Sequence, residues 1–502
     1  MSSPTWLDPI ITKPDVFHSL QYMRGDDTDD TAGFQTMLAA VRMNGGGHIV
    51  MQRPPARYRF EATGNGYPGA NFPANTEMYG EPGTEVYWTG APRRGDFGAK
   101  TGTQHFGWVA IGRGSSTILI RDLVIRSDNA PFVNYYNNQS SGIYIDIPPR
   151  AAHDVVIRDC EFMDHPGFPV HAPGGASCIH TIRNTYQSCA NGENVGADYS
   201  IHFRNRFRQT EGLEAGGAYN VFALNDFSDP AGRGTLLSVG GDNVPGRRRP
   251  GSLVVGNSIK HSLWVGIVTA EAFVSGWLQG NVIDGAGNSA IQVGTAAIAQ
   301  CDHNAVVENI CVGALYGINV FSPLATDTLV AYNTCTGDTF GLLCSSARAT
   351  VIGNNFSGRS MDVEFNVADG ALFLQNTYEV NRLNVRGSAA FLPAVPPTGV
   401  ETAILGSLDQ GTAVIQIRNW SRASVVNLDV TGILRAGENY AVYHPYDLLG
   451  TPVMQGTYTG NPLVMPMQPV SPPADWAVST TIPLPKLGNM FAAFVLRRVG
   501  AS

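Results

Sequence analysis

A short alternation of apolar and polar positions recurs along the middle of the chain. Each copy begins with a glycine or another small residue and alternates from there, and successive copies start 20 to 31 residues apart. In a β-strand this alternation places the apolar side chains on one face. The pattern therefore predicts ten short strands of one repeating unit, which begin at Gly142, Gly167, Gly192, Gly212, Thr235, Gly266, Ala290, Gly317, Gly341 and Asp362.

A second feature recurs between these copies, namely an apolar run that is followed by an asparagine. Asn tolerates the left-handed backbone conformation of a bend, and its amide can hydrogen-bond to the next repeat. We therefore expect a ladder of stacked asparagines at one bend of the fold. Its predicted members are Asn184, Asn205, Asn225, Asn257, Asn281, Asn304, Asn333, Asn355 and Asn376.

The repeat length decides the fold class. A unit of this size cannot bury its own apolar face, whereas stacked units form continuous parallel sheets with ~4.8 Å between strands. The sequence thus predicts an all-β protein, a right-handed parallel β-helix of about ten or more coils. A leucine-rich-repeat horseshoe would need a Leu-rich consensus that is absent, and a β-propeller would need longer repeats with antiparallel turn signals.

The two ends of the chain differ from the repeats. Thr28 to Leu38 has the capping residues and apolar spacing of a helix, which would cover the first coil as an N-terminal cap. From Thr412 the alternating strands are longer and predict a C-terminal β-sandwich. The predicted organisation is an N-terminal extension (1–24), the β-helix (25–385), a transition (386–411) and the sandwich (412–502).

The start of the predicted β-helix carries a specific motif. It reads Gly25-Asp26-Asp27-Thr28-Asp29-Asp30-Thr31, followed by Gln35, three glycines and Pro55-x-x-Tyr58. This resembles the opening of pectate-lyase-superfamily (pectin-lyase-like) β-helices, which include polysaccharide-degrading enzymes and phage tailspikes. The resemblance departs in lacking a preceding Gly-Ala-x-Gly and in having Arg57 in place of a glycine. It implies the fold and carries little information about function, because its residues build the cap. The Asp pair beside a Gly-His that marks polygalacturonases is missing, so no catalytic residue is carried over from the family.

Composition and charge limit the classes of partner that the protein is expected to bind. The net charge of −8 and the pI of about 5.8 exclude a basic nucleic-acid binder, and no apolar run is long enough to span a membrane. The N-terminus lacks the basic and apolar regions of a secretory signal. Seven cysteines without CxxC or zinc spacing predict small core residues rather than a metal site. We expect a polysaccharide partner, no nucleic acid, no membrane, no metal and no cofactor.

Ionisable residues on the predicted outer face concentrate in the first four copies. The second and fourth positions of each strand should point outward, and there lie Asp146, His171 and Glu214. Glu193 occupies an inward position, where a charge is costly unless it is paired. Either the strand register slips there, or Glu193 is a buried carboxylate.

Paired carboxylates are the groups that hydrolyse glycosidic bonds. Glu193 and Glu214 on adjacent coils would lie ~5 Å apart, the separation of a retaining pair, and Asp146 with either would form a wider pair. We predict Glu193, Glu214, Asp146 and His171 as catalytic residues. The alternative is a solvated or sugar-binding face without catalysis. The predicted substrate-binding residues are Tyr144, Asn194, Asp198, His202, Gln292 and Asn319.

Three functions follow from this interpretation. The first is a glycoside hydrolase, and a polysaccharide lyase fits less well because the outward positions contain no Lys or Arg and no calcium-like Asp cluster. The second is a phage tailspike or adhesin that binds a surface glycan, with or without cleaving it, for which a homotrimer is one assembly. The third is a purely structural solenoid, which leaves the carboxylates unexplained. The expected location is extracellular or on a virion.

Overall fold

Each short strand pairs in parallel with its counterpart in the next repeat, and the chain forms a right-handed parallel β-solenoid of about 11 turns. The predicted fold class is thereby confirmed. The structure is a computed structural model that describes residues 4–61, 67–89, 106–112, 115–127, 140–145, 153–172, 176–228, 234–240, 248–270, 272–295, 300–366, 369–379, 382–387, 390–391, 397–409, 411–476 and 480–499. Two compact units result, the first ending at Ala215 and the second comprising Gly216–Ser228 and Gly234–Ser502.

Three faces of parallel strands make up the solenoid of the first unit. The first face consists of Val16–His18, Gly47–Met51, Thr76–Gly80, Ser116–Arg121, His153–Arg158, Ile179–Ile182 and Ile201–Phe203. The second face consists of Tyr58–Glu61, Glu85–Thr89, Val124–Ser127, Glu161–Met163, Thr185–Gln187 and Arg206–Arg208. The third face consists of Phe106–Ile111, Ser140–Ile145, Phe168–Ala172, Glu193–Val195 and Leu213–Ala215.

The second unit repeats this plan. Its first face consists of Val221–Ala223, Leu253–Val255, Trp277–Gln279, Ala305–Val307, Leu329–Ala331, Thr350–Ile352, Leu372–Leu374 and Ala390–Phe391. Three long strands run through both other faces, namely Val282–Val293, Ile310–Val320 and Thr334–Cys344. The shorter strands there are Asp226–Ser228, Leu237–Val239, Ser258–Ser262, Ile267–Thr269, Asn355–Gly358, Met361–Phe365, Thr377–Tyr378 and Leu383–Val385. A separate pair joins Arg249–Pro250 and Phe273–Val274.

The C-terminal part of the second unit is antiparallel. Its five-stranded sheet has the order Val400–Gly406, Thr412–Asn419, Phe491–Arg498, Asn439–Tyr443 and Met454–Thr457, and Val425–Leu428 pairs with Leu463–Pro466. One apolar cluster contains residues from both sheets, so the two sheets share a core. The edge strand Val400–Gly406 lies in the stretch predicted as a transition. A 3₁₀ turn, Pro445–Asp447, follows the fourth strand.

The N-terminal segment forms a 3₁₀ turn, Ser19–Gln21, and one α-helix, Thr31–Asn44. The helix starts three residues later than predicted because the Asp30 carboxylate accepts hydrogen bonds from the backbone N–H groups of Arg24 and Gly25 (2.7 and 3.1 Å), which holds the preceding segment in a loop. It ends at Gly45, whose φ of 79° suits glycine. None of the helices in the described ranges is long and apolar enough to cross a membrane.

A ladder of buried asparagines connects the coils at the bend between the first and second faces. Asn281 is typical: its Nδ2 donates to Val254 O and to Asn309 Oδ1, each at 2.9 Å, and its Oδ1 accepts from the backbone N–H of Asn257. Within the second unit the ladder comprises Asn225, Asn257, Asn281, Asn309, Asn333, Asn354 and Asn376. Asn309 and Asn354 therefore take the places predicted for Asn304 and Asn355.

The left-handed conformation belongs to the residue before each ladder asparagine, not to the asparagine itself. Arg183, Arg204 and Glu308 adopt φ between 54° and 56° there, and Gly256 and Gly280 adopt 64°. These two glycines also admit close neighbours, since a Cβ would lie 2.2 Å from the Tyr446 ring at the first and 2.4 Å from the Leu487 side chain at the second. At each bend, therefore, one residue turns the backbone and the asparagine that follows it makes the hydrogen bonds.

Inward side chains stack in register along the solenoid. In the first unit, Phe162, Tyr186 and Phe207 are equivalent on successive strands, and their rings are nearly parallel with centroids 5.2 and 4.7 Å apart. All seven cysteines are free and buried, as predicted for core residues. The interior is therefore packed by like residues from neighbouring coils.

We expect Asn281→Ala to lower the free energy of unfolding by about 3 kcal/mol or more, because it leaves buried partners of four hydrogen bonds unsatisfied. Urea denaturation measures this. Asn355→Ala is the matched control, because Asn355 is exposed, and its loss should stay within about 0.5 kcal/mol. Equal losses for the two variants would contradict the assigned ladder.

We also expect the fold to be acid-sensitive. Burial lowers the pKa of His165 to about 4, and burial together with the charge of His202 lowers the pKa of His180 to about 3. Between these values and about 6.5 the unfolded chain binds protons that the folded chain does not, so stability falls as the pH drops below about 6.5. Each histidine should cost roughly 2 kcal/mol between pH 7 and pH 5.

Urea midpoints at the two pH values measure this loss. In His165→Phe the difference between the two midpoints should shrink, whatever the variant's absolute stability. A difference as large as that of the wild type would exclude His165 as one of the responsible groups.

Candidate functional site

Four residues predicted for the site lie side by side on the third face of the first unit. Tyr144 is opposite His171, His171 is opposite Asn194, and Asn194 is opposite Glu214, each pair on neighbouring parallel strands. The strand spacing of ~4.8 Å sets the distance from one position to the next. We call these four residues the binding row.

The binding row changes in character along its length. At one end Tyr144 and His171 are nearly buried, and their rings make an edge-on contact with centroids 5.5 Å apart. At the other end Asn194 and Glu214 are half-buried, and Asn194 Nδ2 donates to Glu214 Oε2 at 3.1 Å. A buried aromatic end and a half-buried amide–carboxylate end thus occupy equivalent positions on neighbouring strands.

Tyr67 extends the aromatic end, and the sequence analysis missed it. Its ring stacks on that of Tyr144 with centroids 5.7 Å apart and planes 16° apart. The segment around it runs beside the third face through a bridge between Gly69 and Val109. No repeat signal marks this segment, because it lies outside the ten copies of the strand pattern.

The register of two predicted strands is corrected by the structure. Counted from their predicted starts, Pro169 takes the same outward position in its strand as Asn194 does, and Leu237 takes an outward position in its own strand. In the structure His171, not Pro169, pairs with Asn194, and Ser238 is the half-buried residue of the other strand, where it pairs with Val268. Leu237 is instead buried. Two consecutive leucines in the latter strand conceal the alternation, so the local pattern cannot distinguish the inner from the outer face.

Glu193 and His202 lie in the interior of the solenoid rather than on its outer face, and their predicted catalytic and substrate-binding roles stay predictions. Both side chains are fully buried, and His202 Nδ1 lies 2.8 Å from Glu193 Oε2. Thr181 Oγ1 donates to the same carboxylate oxygen at 2.9 Å, and Asn205 Nδ2 donates to that hydroxyl at 3.1 Å. Of the two alternatives from the sequence, the register holds and Glu193 is a buried carboxylate.

This interior pair affects a neighbouring aromatic residue. Burial keeps the pKa of the Tyr186 hydroxyl well above its usual value, and the negative charge of Glu193 acts in the same direction. Glu193 Oε1 has no hydrogen-bond partner among the described residues. The pair is thus a polar element of the core directly beneath Asn194 of the binding row.

The remaining predicted residues are dispersed. Asp198 follows the strand of Asn194 and forms a bridge with Ser177, outside the binding row. Asp146 lies outside the described residues. Gln292 and Asn319 face each other in the second unit, where Gln292 Nε2 donates to Gly294 O (3.0 Å) and Asn319 Nδ2 to Ser289 Oγ (3.3 Å).

Other candidate sugar-stacking aromatics and metal ligands can be placed as well. Trp108 and Trp277 are buried core residues, whereas Trp264 is 56% exposed. Tyr135 and Tyr136 lie outside the described residues. In the ranges that the structure describes, no group of three or more His, Cys, Asp or Glu side chains is arranged to hold a metal ion.

We expect Glu193→Ala to destabilise the fold by about 3 to 5 kcal/mol, because it leaves His202 buried without its carboxylate. Glu214→Ala, which removes a half-buried carboxylate of the binding row, should cost less than about 1 kcal/mol. Urea denaturation of both variants at pH 7 measures the contrast. A wild-type midpoint for Glu193→Ala would refute the interior pair.

Comparisons with known proteins agree with this architecture. The sequence matches no protein-family model and no curated protein. Among solved structures, the A-module of the Azotobacter vinelandii mannuronan C-5 epimerase AlgE6 superimposes with a TM-score of 0.53 at 17% identity, covering 72% of this chain and 99% of that one. A tailspike of Escherichia coli bacteriophage HK620, in complex with a pentasaccharide, gives 0.55 at 10% identity, covering 95% and 91%.

Identities this low establish a common fold only. The opening motif, the stacked coils and both superpositions lead to the same conclusion. The chain is a right-handed parallel β-helix protein.

Proposed function

We propose that this protein binds a polysaccharide along the binding row of its first unit. The observation that carries the proposal is the unbroken sequence of Tyr144, His171, Asn194 and Glu214 on four neighbouring strands. A carboxylate accepts hydrogen bonds from sugar hydroxyls, and an amide both accepts and donates them. Aromatic rings supply apolar contact and have a polar edge. A row of such groups suits an extended chain molecule.

The comparisons support a polysaccharide as the ligand. One similar structure is named for an epimerase of mannuronan, a polysaccharide, and the other holds a bound pentasaccharide. Both share the fold at low identity, so they support the class of ligand and not a particular sugar. The binding row supplies the independent chemical reason.

Hydrolysis of the bound glycan is the second candidate function, with Glu214 as its acid–base group. Glu214 is the carboxylate of the binding row, and the hydrogen bond from Asn194 orients it. The predicted pair of Glu193 and Glu214 does not support this function, because the Glu193 side chain is buried in the interior. Asp146, the other predicted partner of Glu214, lies outside the described residues.

The biological setting remains part of the proposal. A glycan-binding β-helix fits an extracellular or virion-associated protein, either as a tailspike or as an adhesin. A homotrimer is the assembly expected for the virion setting. Sedimentation of the purified protein distinguishes a monomer from a trimer.

We expect Glu214→Gln to weaken glycan binding about tenfold, the value of one charged hydrogen bond. Affinity electrophoresis through gels that contain a neutral or an acidic polysaccharide measures the dissociation constant. Glu364→Gln is the matched control, since Glu364 is also half-buried on an outward strand position, in the second unit. If Glu214→Gln is retained as strongly as the wild type while Glu364→Gln is retained less, the binding site lies outside the binding row.

The same samples test cleavage. New reducing ends that disappear in Glu214→Gln would establish hydrolysis, whereas an unsaturated product would establish a lyase. Retention without any product would leave a binding protein. Wild-type protein that is retained by none of the polysaccharides would refute the proposed function.

A further inference from the structure

A second groove opens in the first unit, on a different side of the coil from the binding row. It has a volume of about 450 Å³, which is within the usual range of ligand clefts. It lies at the bend between the first and second faces, where Asp122 and Asp159 occupy the turns and Glu161 and Thr185 begin second-face strands. The site proposed above uses none of these residues.

The local sequence explains why the bend is open here. In the coils that form the groove, the positions equivalent to the ladder asparagines are Leu123 and Cys160, and the ladder starts only at Asn184. One wall is bare backbone, because a Cβ at Gly80 would lie 2.4 Å from Asp122 O. The groove is therefore lined by backbone, hydroxyl and charged groups together with the apolar side chains of Pro82, Leu123 and Val124.

Ion pairs neutralise two of the three carboxylates in the groove. Asp122 pairs with Arg121 at 2.5 Å. Asp159 pairs with Arg158 and with Arg183, each at 2.6 Å, and the Arg183 pair is bidentate. These charges are fixed by each other and are not open to a charged ligand.

Glu161 differs from the other two carboxylates. Its side chain is half-buried and forms no hydrogen bond or ion pair with any residue in the described ranges. Thr185, directly opposite on the neighbouring strand, likewise has no side-chain hydrogen bond in those ranges. An acceptor and a hydroxyl therefore lie on adjacent strands, ~5 Å apart at the backbone, both directed into the groove.

We propose that this groove is a second glycan-binding site and that it takes a neutral, hydroxyl-rich sugar. Glu161 accepts hydrogen bonds from two hydroxyls, Thr185 donates or accepts one, and the exposed edge of the Arg183 guanidinium donates another. A uronate would bring a second negative charge beside the unpaired Glu161 and is disfavoured. The inference rests on the proposed function, because it takes the ligand to be a polysaccharide. It adds a second binding site and specifies that the sugar bound there is uncharged.

The test uses the full-length protein in affinity electrophoresis with dextran and galactomannan as neutral probes and polygalacturonate and alginate as acidic ones. We expect the wild type to be retarded by a neutral probe. Glu161→Gln and Thr185→Val should each raise the dissociation constant for that probe by about tenfold, and Glu364→Gln should leave it unchanged. Because neither side chain has a hydrogen-bond partner among the described residues, the urea midpoints of both variants should equal that of the wild type.

The outcomes separate this site from the binding row. If the probe retards both groove variants as strongly as the wild type but no longer retards Glu214→Gln, the groove is not a site and the proposed function stands. If the groove variants lose it and Glu214→Gln does not, the groove is the principal site. Retardation of the wild type by acidic probes alone overturns the neutral-sugar assignment, and no retardation at all overturns both proposals.

Discussion

Coil-to-coil hydrogen bonding is the interaction on which the rest of this structure depends. None of the solenoid strands in the described ranges has a partner within its own coil, so each coil is held by the backbone and side chains of its neighbours. Backbone groups satisfy one another through the parallel sheets. At the bend, where strand pairing stops, the asparagine ladder continues the same exchange from Asn225 to Asn376. Buried backbone groups at a bend would otherwise lack partners, which is costly.

The same stacking creates the surface on which binding is proposed. Because the register is kept from coil to coil, any outward position becomes a row of side chains at the strand spacing. Tyr144, His171, Asn194 and Glu214 come from segments up to 70 residues apart, yet they form one strip. A ligand that is itself a linear repeat matches such a strip. The groove beside Glu161 lies in the coils that precede the start of the ladder at Asn184, so both proposed sites are variations on one repeating scaffold.

The buried Glu193–His202 pair shows how the interior constrains the exterior. A polar pair in an apolar core needs good geometry and additional hydrogen bonds, which Thr181 and Asn205 supply. Glu193 and Asn194 are consecutive, so fixing the one inside the core fixes the other on the outer face. The outward position of Asn194 therefore depends on the buried Glu193–His202 pair, which lies outside the binding row.

The sequence by itself determined the repeating strands, their stacking, the N-terminal helix and the four members of the binding row, because each follows from a periodicity within a few residues. Where two nearby residues satisfied the same local pattern, only the tertiary structure decided which of them belongs to the ladder. Asn304 and Asn309 flank one short strand, and Asn354 adjoins Asn355. Only the alignment with asparagines in the coils on either side selects Asn309 and Asn354.

The inward position of Glu193 has the same origin. Its alternation already predicted the interior, but a carboxylate is stable there only beside His202, whose location on another face is a product of coil closure. The groove at Glu161 likewise combines turns from four coils. Local periodicity determines which way a strand faces, whereas contacts between coils determine what each side chain meets.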